Sequence, residues 1–322
     1  MNRSSRSTGS KPVYRIFITT GDADGIGWEV TAKALNRLGP QKGCAFTVFA
    51  SADAARKPNL NKKFKVRSYT KLEDSLKDPA ESRTLSLVIN SENPVEWVEH
   101  ATKQCLRNPN NALVTAPLSK TMIKASGRSD IGHTEVLARL SGVEHLFMGF
   151  VGQHFSVVLV TGHMPLKQAT QALSPKLFNS AIAAALRLRD VLPRAQQKRP
   201  LGLVGVNPHA GENGMLGQEE IWMKKLTNRN VQGPLVPDAA FLPQNWQRHS
   251  VYVVPFHDQG LIPFKLVHGF EGGVHLTLNL PFVRTSVDHG TAKDIFGLGK
   301  ANPGSMKDAI TTAIRLLREK KP

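Results

Sequence analysis

The chain alternates short β-branched, aliphatic runs with stretches of helical periodicity. The runs are Tyr14–Thr19, Phe46–Ala50, Leu85–Ile89, Ala112–Thr115, Val157–Thr161, Leu201–Val206 and Val251–Phe256. They read as strands. Most are apolar without the every-second-residue alternation of a half-exposed strand, so they belong in a sheet covered on both faces, which predicts an α/β fold. The intervening helices carry recognisable ends. Ser174-Pro175 supplies an N-cap and a first-turn proline, and Ser305 with Asp308 reads as a capping-box start for the last helix.

At 322 residues and 40% apolar composition the chain can bury one large core or two ordinary ones, and two intimately joined domains are expected. Cys44 and Cys105 are the only cysteines and have no CxxC spacing, which argues against a disulfide framework or thiolate zinc and fits a reducing cytoplasm. No apolar run approaches the length of a membrane span. The Arg/Ser-rich opening MNRSSRSTGSKP, residues 1–12, reads as a disordered tail outside the fold. The net charge of +17 suits nucleic acid, a membrane surface or anionic small molecules. Aromatics are only 7%, the basic residues are scattered apart from modest groups at the two ends, and no nucleic-acid motif appears, which argues against nucleic acid.

Ligands of α/β sheets bind beyond the carboxyl ends of strands. Five loops in that position read TGDADGIGWE, APLSK, GHMPL, NPHAGENG and HDQGLIPFK, and three of them place a histidine within three residues of the expected strand end: His163, His209 and His257. Each histidine alone is accounted for as a loop cap. Three in one topological position, if their strands are neighbours, make a site for a catalytic divalent ion such as zinc, with open positions for substrate. Asp258 and Glu212 are then partners able to orient imidazoles, or else surface carboxylates in turns. The glycine-rich GDADGIG, residues 21–27, offers amides to a phosphate or forms a tight turn; it is neither a Rossmann fingerprint nor a Walker loop. His133 and Thr134 open an amphipathic helix whose dipole favours an anion, a role that competes with ordinary capping. Lys265 and Arg284 are cations suited to a phosphate or carboxylate, or are solvated charges. Together with a trihistidine ion these residues suggest a phosphorylated, hydroxylated small substrate.

The segments LVTAPLSK, GHTEVLARLSG, VLVTGHMPL, VGVNPHAGENGMLGQEE, GPLVPDAAF, HDQGLIPFK and LPFVRTSVDHGTAKDIFGLGKANPGSM resemble the 4-hydroxythreonine-4-phosphate dehydrogenase family of pyridoxal phosphate biosynthesis from the first strand to the last helix. The resemblance implies two α/β/α domains with a cleft between them, related to isocitrate and isopropylmalate dehydrogenases rather than to a classical Rossmann fold. The first would hold 13–135 plus 281–322, and the second, 136–280, the metal-binding histidines. It further implies a cytoplasmic homodimer with shared active sites. The divalent ion (Zn, Mg, Co or Mn) would be held by His163, His209 and His257, and the substrate by His133, Thr134, Lys265 and Arg284. Asp238 matches a family aspartate near the metal, and Asp238 or Lys265 would transfer protons. NAD or NADP would accept hydride as 4-phosphooxy-L-threonine is oxidised at C3 and decarboxylated to 3-amino-2-oxopropyl phosphate.

Two departures stand out. The first loop reads GDADGIGWE where the family commonly has GDPAGIGPE, and His275, in GVHLTLNLP, stands where the family usually has a substrate-binding asparagine. The second departure keeps open the same chemistry on phospho-D-threonate or phospho-D-erythronate. A metal-dependent phosphate-ester hydrolase or lyase is the remoter alternative, separable by its indifference to nicotinamide.

Overall fold

All seven runs are strands in the computed structural model, which describes residues 13–52, 60, 63–269 and 272–319; the expected tail, residues 1–12, lies outside the described residues. The strands are β1 (Tyr14–Thr19), β2 (Cys44–Ser51), β3 (Lys65–Tyr69), β4 (Thr84–Asn90), β5 (Asn111–Thr115), β6 (Phe147–Gly152), β7 (Ser156–Leu159), β8 (Leu201–Val204), β9 (Val231–Leu235), β10 (Tyr252–Val254), β11 (Gly273–Leu278) and β12 (Val283–Ser286). They form one mixed sheet in the order β3-β4-β2-β1-β5-β12-β11-β6-β7-β10-β8-β9. The first six pair in parallel. Direction reverses at β12–β11, β11–β6 and β6–β7, after which β7, β10, β8 and β9 run parallel again.

Helices cover both faces, as strands buried on both sides require. The longer ones are α1 (Gly27–Leu38), α2 (Pro94–Arg107), α3 (His133–Ser141), α4 (Pro175–Arg189), α5 (His257–His268) and α6 (Gly304–Glu319). One core cluster runs under α1, α4 and α6 and joins both halves of the sheet through Ile16, Phe46, Val253 and Leu201. On the opposite face α2 and α3 pack on the first half through Trp97, Val98, Val136 and Leu137. There α5 packs on the second half through Phe264, against Phe150, Val157 and Val254. Phe264 is fully buried, and truncating it to alanine costs about 3–5 kcal/mol. Val136 and Leu137 lie past the expected boundary at 135, yet α3 as a whole packs with the first half.

α4 begins as read: Ser174 Oγ accepts from Leu177 N at 3.3 Å, with Pro175 in the first turn. The start of α6 differs. The helix opens at Gly304, Asn302 Oδ1 accepts from Gly304 N at 2.8 Å, and Ser305 Oγ accepts instead from Asp288 N at 3.1 Å. The hydroxyl expected to cap the helix is thus spent holding the segment after β12. Among the described residues no helix is long and apolar enough to cross a membrane.

Candidate functional site

The three strand ends that carry histidines are neighbours: β7, β10 and β8 lie side by side and parallel, so His163, His257 and His209 follow adjacent carboxyl ends. His257 is the first residue of α5. The helix sits tight on the sheet because Gly260 has no side chain; a Cβ there would meet Val254 Cγ2 at 2.7 Å. The His163 and His257 rings are 5.0 Å apart. Burial, and then the neighbouring His257, push His163 below its ordinary value, which keeps it a neutral lone-pair donor. His257 Nδ1 lies 2.7 Å from Asp258 Oδ1, the orienting contact expected, and leaves Nε2 to face a ligand.

His209 does not join this pair within one chain. It lies exposed on Pro208–Gly214, where His209, Ala210, Gly211, Glu212 and Asn213 all take left-handed angles (φ 52, 52, 76, 43 and 57). Four of these are not glycine, a costly conformation that needs outside support. The support is Glu220, which is buried. Its Oε1 accepts from Val206 N and Asn207 N, each at 2.7 Å, and its Oε2 from Asn207 Nδ2 at 3.0 Å. Glu220 was not singled out from sequence; its signal was a carboxylate closing the GQEE stretch after a glycine-rich loop. Glu212, considered as an orienting partner, is exposed. Among the described residues no group of three or more His, Cys, Asp or Glu side chains could hold a metal ion within the chain. The His163–His257 pair therefore fits a divalent ion in donor chemistry as two of the ligands.

Within electrostatic reach of His163 is a buried cationic cluster. Arg284, on β12, is 3% exposed, and none of its hydrogen bonds goes to a carboxylate. Its Nη2 donates to Thr115 Oγ1 at 2.6 Å, and Nη1 to Thr277 Oγ1 at 2.8 Å and His275 Nδ1 at 3.2 Å. Burial pushes it down to about 9, which leaves it charged at neutral pH. His133, first residue of α3, is pushed down to about 3 by burial and by Arg284. His275 is driven well below its ordinary value by burial first, then by Arg284, His163 and His133. His133 Nε2, His275 Nε2 and Arg284 Nε are buried without a hydrogen-bond partner. Polar atoms so placed are expected to have a partner, and a ligand is the natural one. Thr134 follows His133 in the first turn of α3.

Lys265 Nζ lies 3.5 Å from Asp288 Oδ1. Burial pushes the Asp288 carboxyl up while Lys265 pulls it down, and His257 is among the groups it feels. Asp288 was missed from sequence although it lies inside the quoted SVDHG. Asp238 is exposed on the short helix Pro237–Ala240, and among the described residues no hydrogen bond or ion pair ties it to Lys265 or the histidines. The first loop proves to be a tight turn. Asp22 N, Gly25 N and Ile26 N donate to Pro117 O, Asp22 O and Thr291 O, and a Cβ on Gly21 would meet Pro117 O at 1.8 Å. Three of the seven amides of residues 21–27 are thus committed within the fold. Asp24, one of the departures, pairs with Lys293 at 2.7 Å.

Comparison with known proteins bears on this site. The family model described as pyridoxal phosphate biosynthetic protein PdxA matches residues 41–313. The 4-hydroxythreonine-4-phosphate dehydrogenase of Sulfurihydrogenibium sp. (strain YO3AOP1) is 33% identical over 328 residues, covering 96% of this chain and 100% of that protein. The crystal structure of the Klebsiella pneumoniae 4-hydroxythreonine-4-phosphate dehydrogenase superposes with a TM-score of 0.77 at 29% identity, covering 96% of this chain and 99% of that one. An isocitrate dehydrogenase from Methylococcus capsulatus shares the fold at a TM-score of 0.51 and 14% identity, over 95% of this chain and 86% of that one.

Proposed function

This chain belongs to the PdxA family of pyridoxal phosphate biosynthetic proteins, and from that premise we propose that it is a metal-dependent, NAD- or NADP-linked oxidoreductase. It oxidises the C3 alcohol of 4-phosphooxy-L-threonine or a close 4-phosphorylated analogue, and the β-keto acid so formed loses carbon dioxide; the amino substrate gives 3-amino-2-oxopropyl phosphate. The observation that carries this reading is the buried Arg284, held without a carboxylate in a cluster within electrostatic reach of His163. A cation so placed calls for an anion, and the substrate supplies one.

Arg284, Lys265 and the opening of α3 at His133 and Thr134 bind and orient the anionic ends of the substrate. Lys265, backed by Asp288 at 3.5 Å, is better placed to move the hydroxyl proton than the exposed Asp238. His163 and His257 would hold a divalent ion, which would supply Lewis-acid polarisation of the reacting oxygen, and a nicotinamide coenzyme would supply the hydride acceptor. His209 completes the ligand set from a second copy of the chain, so that the working unit is a homodimer with shared sites. The exposed Met215 and Leu216, near His209, and Ile262 and Leu266, one turn apart on α5, suit such a contact. Two buried cysteines outside any disulfide fit a cytoplasmic setting.

The test is to strip the protein with chelator, restore one divalent metal at a time and follow reduced coenzyme with 4-phosphooxy-L-threonine, phospho-D-threonate and phospho-D-erythronate. Metal-restored turnover of at least one is expected. Silence on all three, with phosphate-ester cleavage in its place, would replace this reading with a hydrolase.

A further inference from the structure

His275 sits on β11 opposite Ser286 of β12, with its ring packed on Phe150 at 4.9 Å between centroids. Two groups meet its Nδ1: Ser286 Oγ at 2.7 Å and Arg284 Nη1 at 3.2 Å. A hydroxyl can donate or accept, but a guanidinium only donates. A proton on Nδ1 would therefore point one N–H at another, whereas a lone pair there accepts from Arg284. The neutral ring must then carry its proton on Nε2, and Nε2 is the buried atom without a partner. The same reasoning runs along the adjoining wall. Thr115 and Thr277 hydroxyls already accept from Arg284, the Ser286 hydroxyl is engaged by His275, and Arg284 Nε is a second buried donor without a partner.

We propose that His275 is a specificity-determining residue, locked by Arg284 and Ser286 as an Nε2–H donor, so that its Nε2–H and the Arg284 Nε–H select an oxygen acceptor on the substrate over an ammonium group. The inference rests on the dehydrogenase reading for its substrate class, which becomes a phosphorylated hydroxy acid in preference to the phosphorylated amino acid. An asparagine in the same place carries both a donor and an acceptor and imposes no such choice.

Two measurements test it on the full chain. In protein labelled with ¹⁵N-histidine, long-range ¹H–¹⁵N correlation should show His275 protonated on Nε2; a ring protonated on Nδ1 overturns the proposal whatever the activity. Calorimetric binding of phospho-D-erythronate and of 4-phosphooxy-L-threonine, without coenzyme, should favour the hydroxy acid. His275→Asn should shrink that preference by at least about fivefold, the lower range for one buried hydrogen bond. An unchanged ratio, or tighter binding of the amino acid by the unaltered protein, also overturns it. Because binding is read without turnover, failure of the dehydrogenase reading would appear separately, as the expected binding preference with no reduced coenzyme formed.

Discussion

A guanidinium buried among two hydroxyls and an imidazole, with no carboxylate among those contacts, costs the folded protein stability until an anion reaches it. Arg284→Met should therefore leave the ligand-free protein as stable as before, or more so, in urea unfolding. It should also weaken binding of a phosphorylated substrate by on the order of 100-fold, about 3 kcal/mol. A large drop in unfolding midpoint with binding intact would show that Arg284 is structural. The imidazoles beside it make a pH prediction. His133 has a folded value of about 3 against an ordinary 6.5, and His275 is depressed in the same direction. Below 6.5 the unfolded chain binds protons that the native state refuses, so stability is held above that pH and lost as pH falls from 6.5 toward 3. Each histidine contributes a slope of up to ~1.4 kcal/mol per pH unit. Urea unfolding between pH 7 and 5 should show this acid limb, and His133→Asn should flatten it by one proton's worth.

At the scale of elements, the strands legible in the sequence were those whose runs are wholly apolar, because they are buried on both faces by helices. The five that were not read as strands have other physics. β3, KVRSY, is an edge strand with exposed positions, and β9, VQGPL, holds a proline that only an edge tolerates. β11 and β12, GVHLTL and VRTS, are buried almost throughout, yet carry His275, Thr277, Arg284 and Ser286, which hydrogen-bond to one another. Polar residues gathered around the buried guanidinium thus disguised a pair of central strands as loop. The β6 run, FMGFVG, is apolar, but Gly149 and Gly152 interrupt the β-branched pattern by which a strand is read. Of the candidate site, the three histidines were legible as residues after parallel strands, and the topology adds that those strands are neighbours. The left-handed turn at His209 was not, because glycine spacing does not reveal that Ala210 and Asn213 share the conformation. Replacing Ala210, at φ 52, with glycine should raise stability by about 0.5–1 kcal/mol, the left-handed penalty less the added chain entropy. Urea midpoints decide it, and a loss would mean that the turn relaxes in solution.

At the scale of the whole molecule, the chain presents two of the expected metal ligands together and the third apart. His163 and His257 are ring to ring, while His209 is exposed on a strained segment flanked by Met215, which is 82% exposed. On the far side of α5's buried face, Leu266 is 85% exposed in the turn that also carries Lys265. If His209 serves the other copy's site, a strained residue beside uncovered apolar ones, costly in a monomer, is put to use in a twofold dimer that covers each patch. This makes a prediction that separates shared from self-contained sites. His209→Ala and His257→Ala variants should each be inactive alone. Unfolded together and refolded as a mixture, half of the dimers are hybrids, and in each hybrid one site draws His257 and His209 from the two chains that retain them. Activity should return to about a quarter of the unaltered enzyme's. If all three ligands came from one chain, every site in the mixture would lack a histidine and no activity would return.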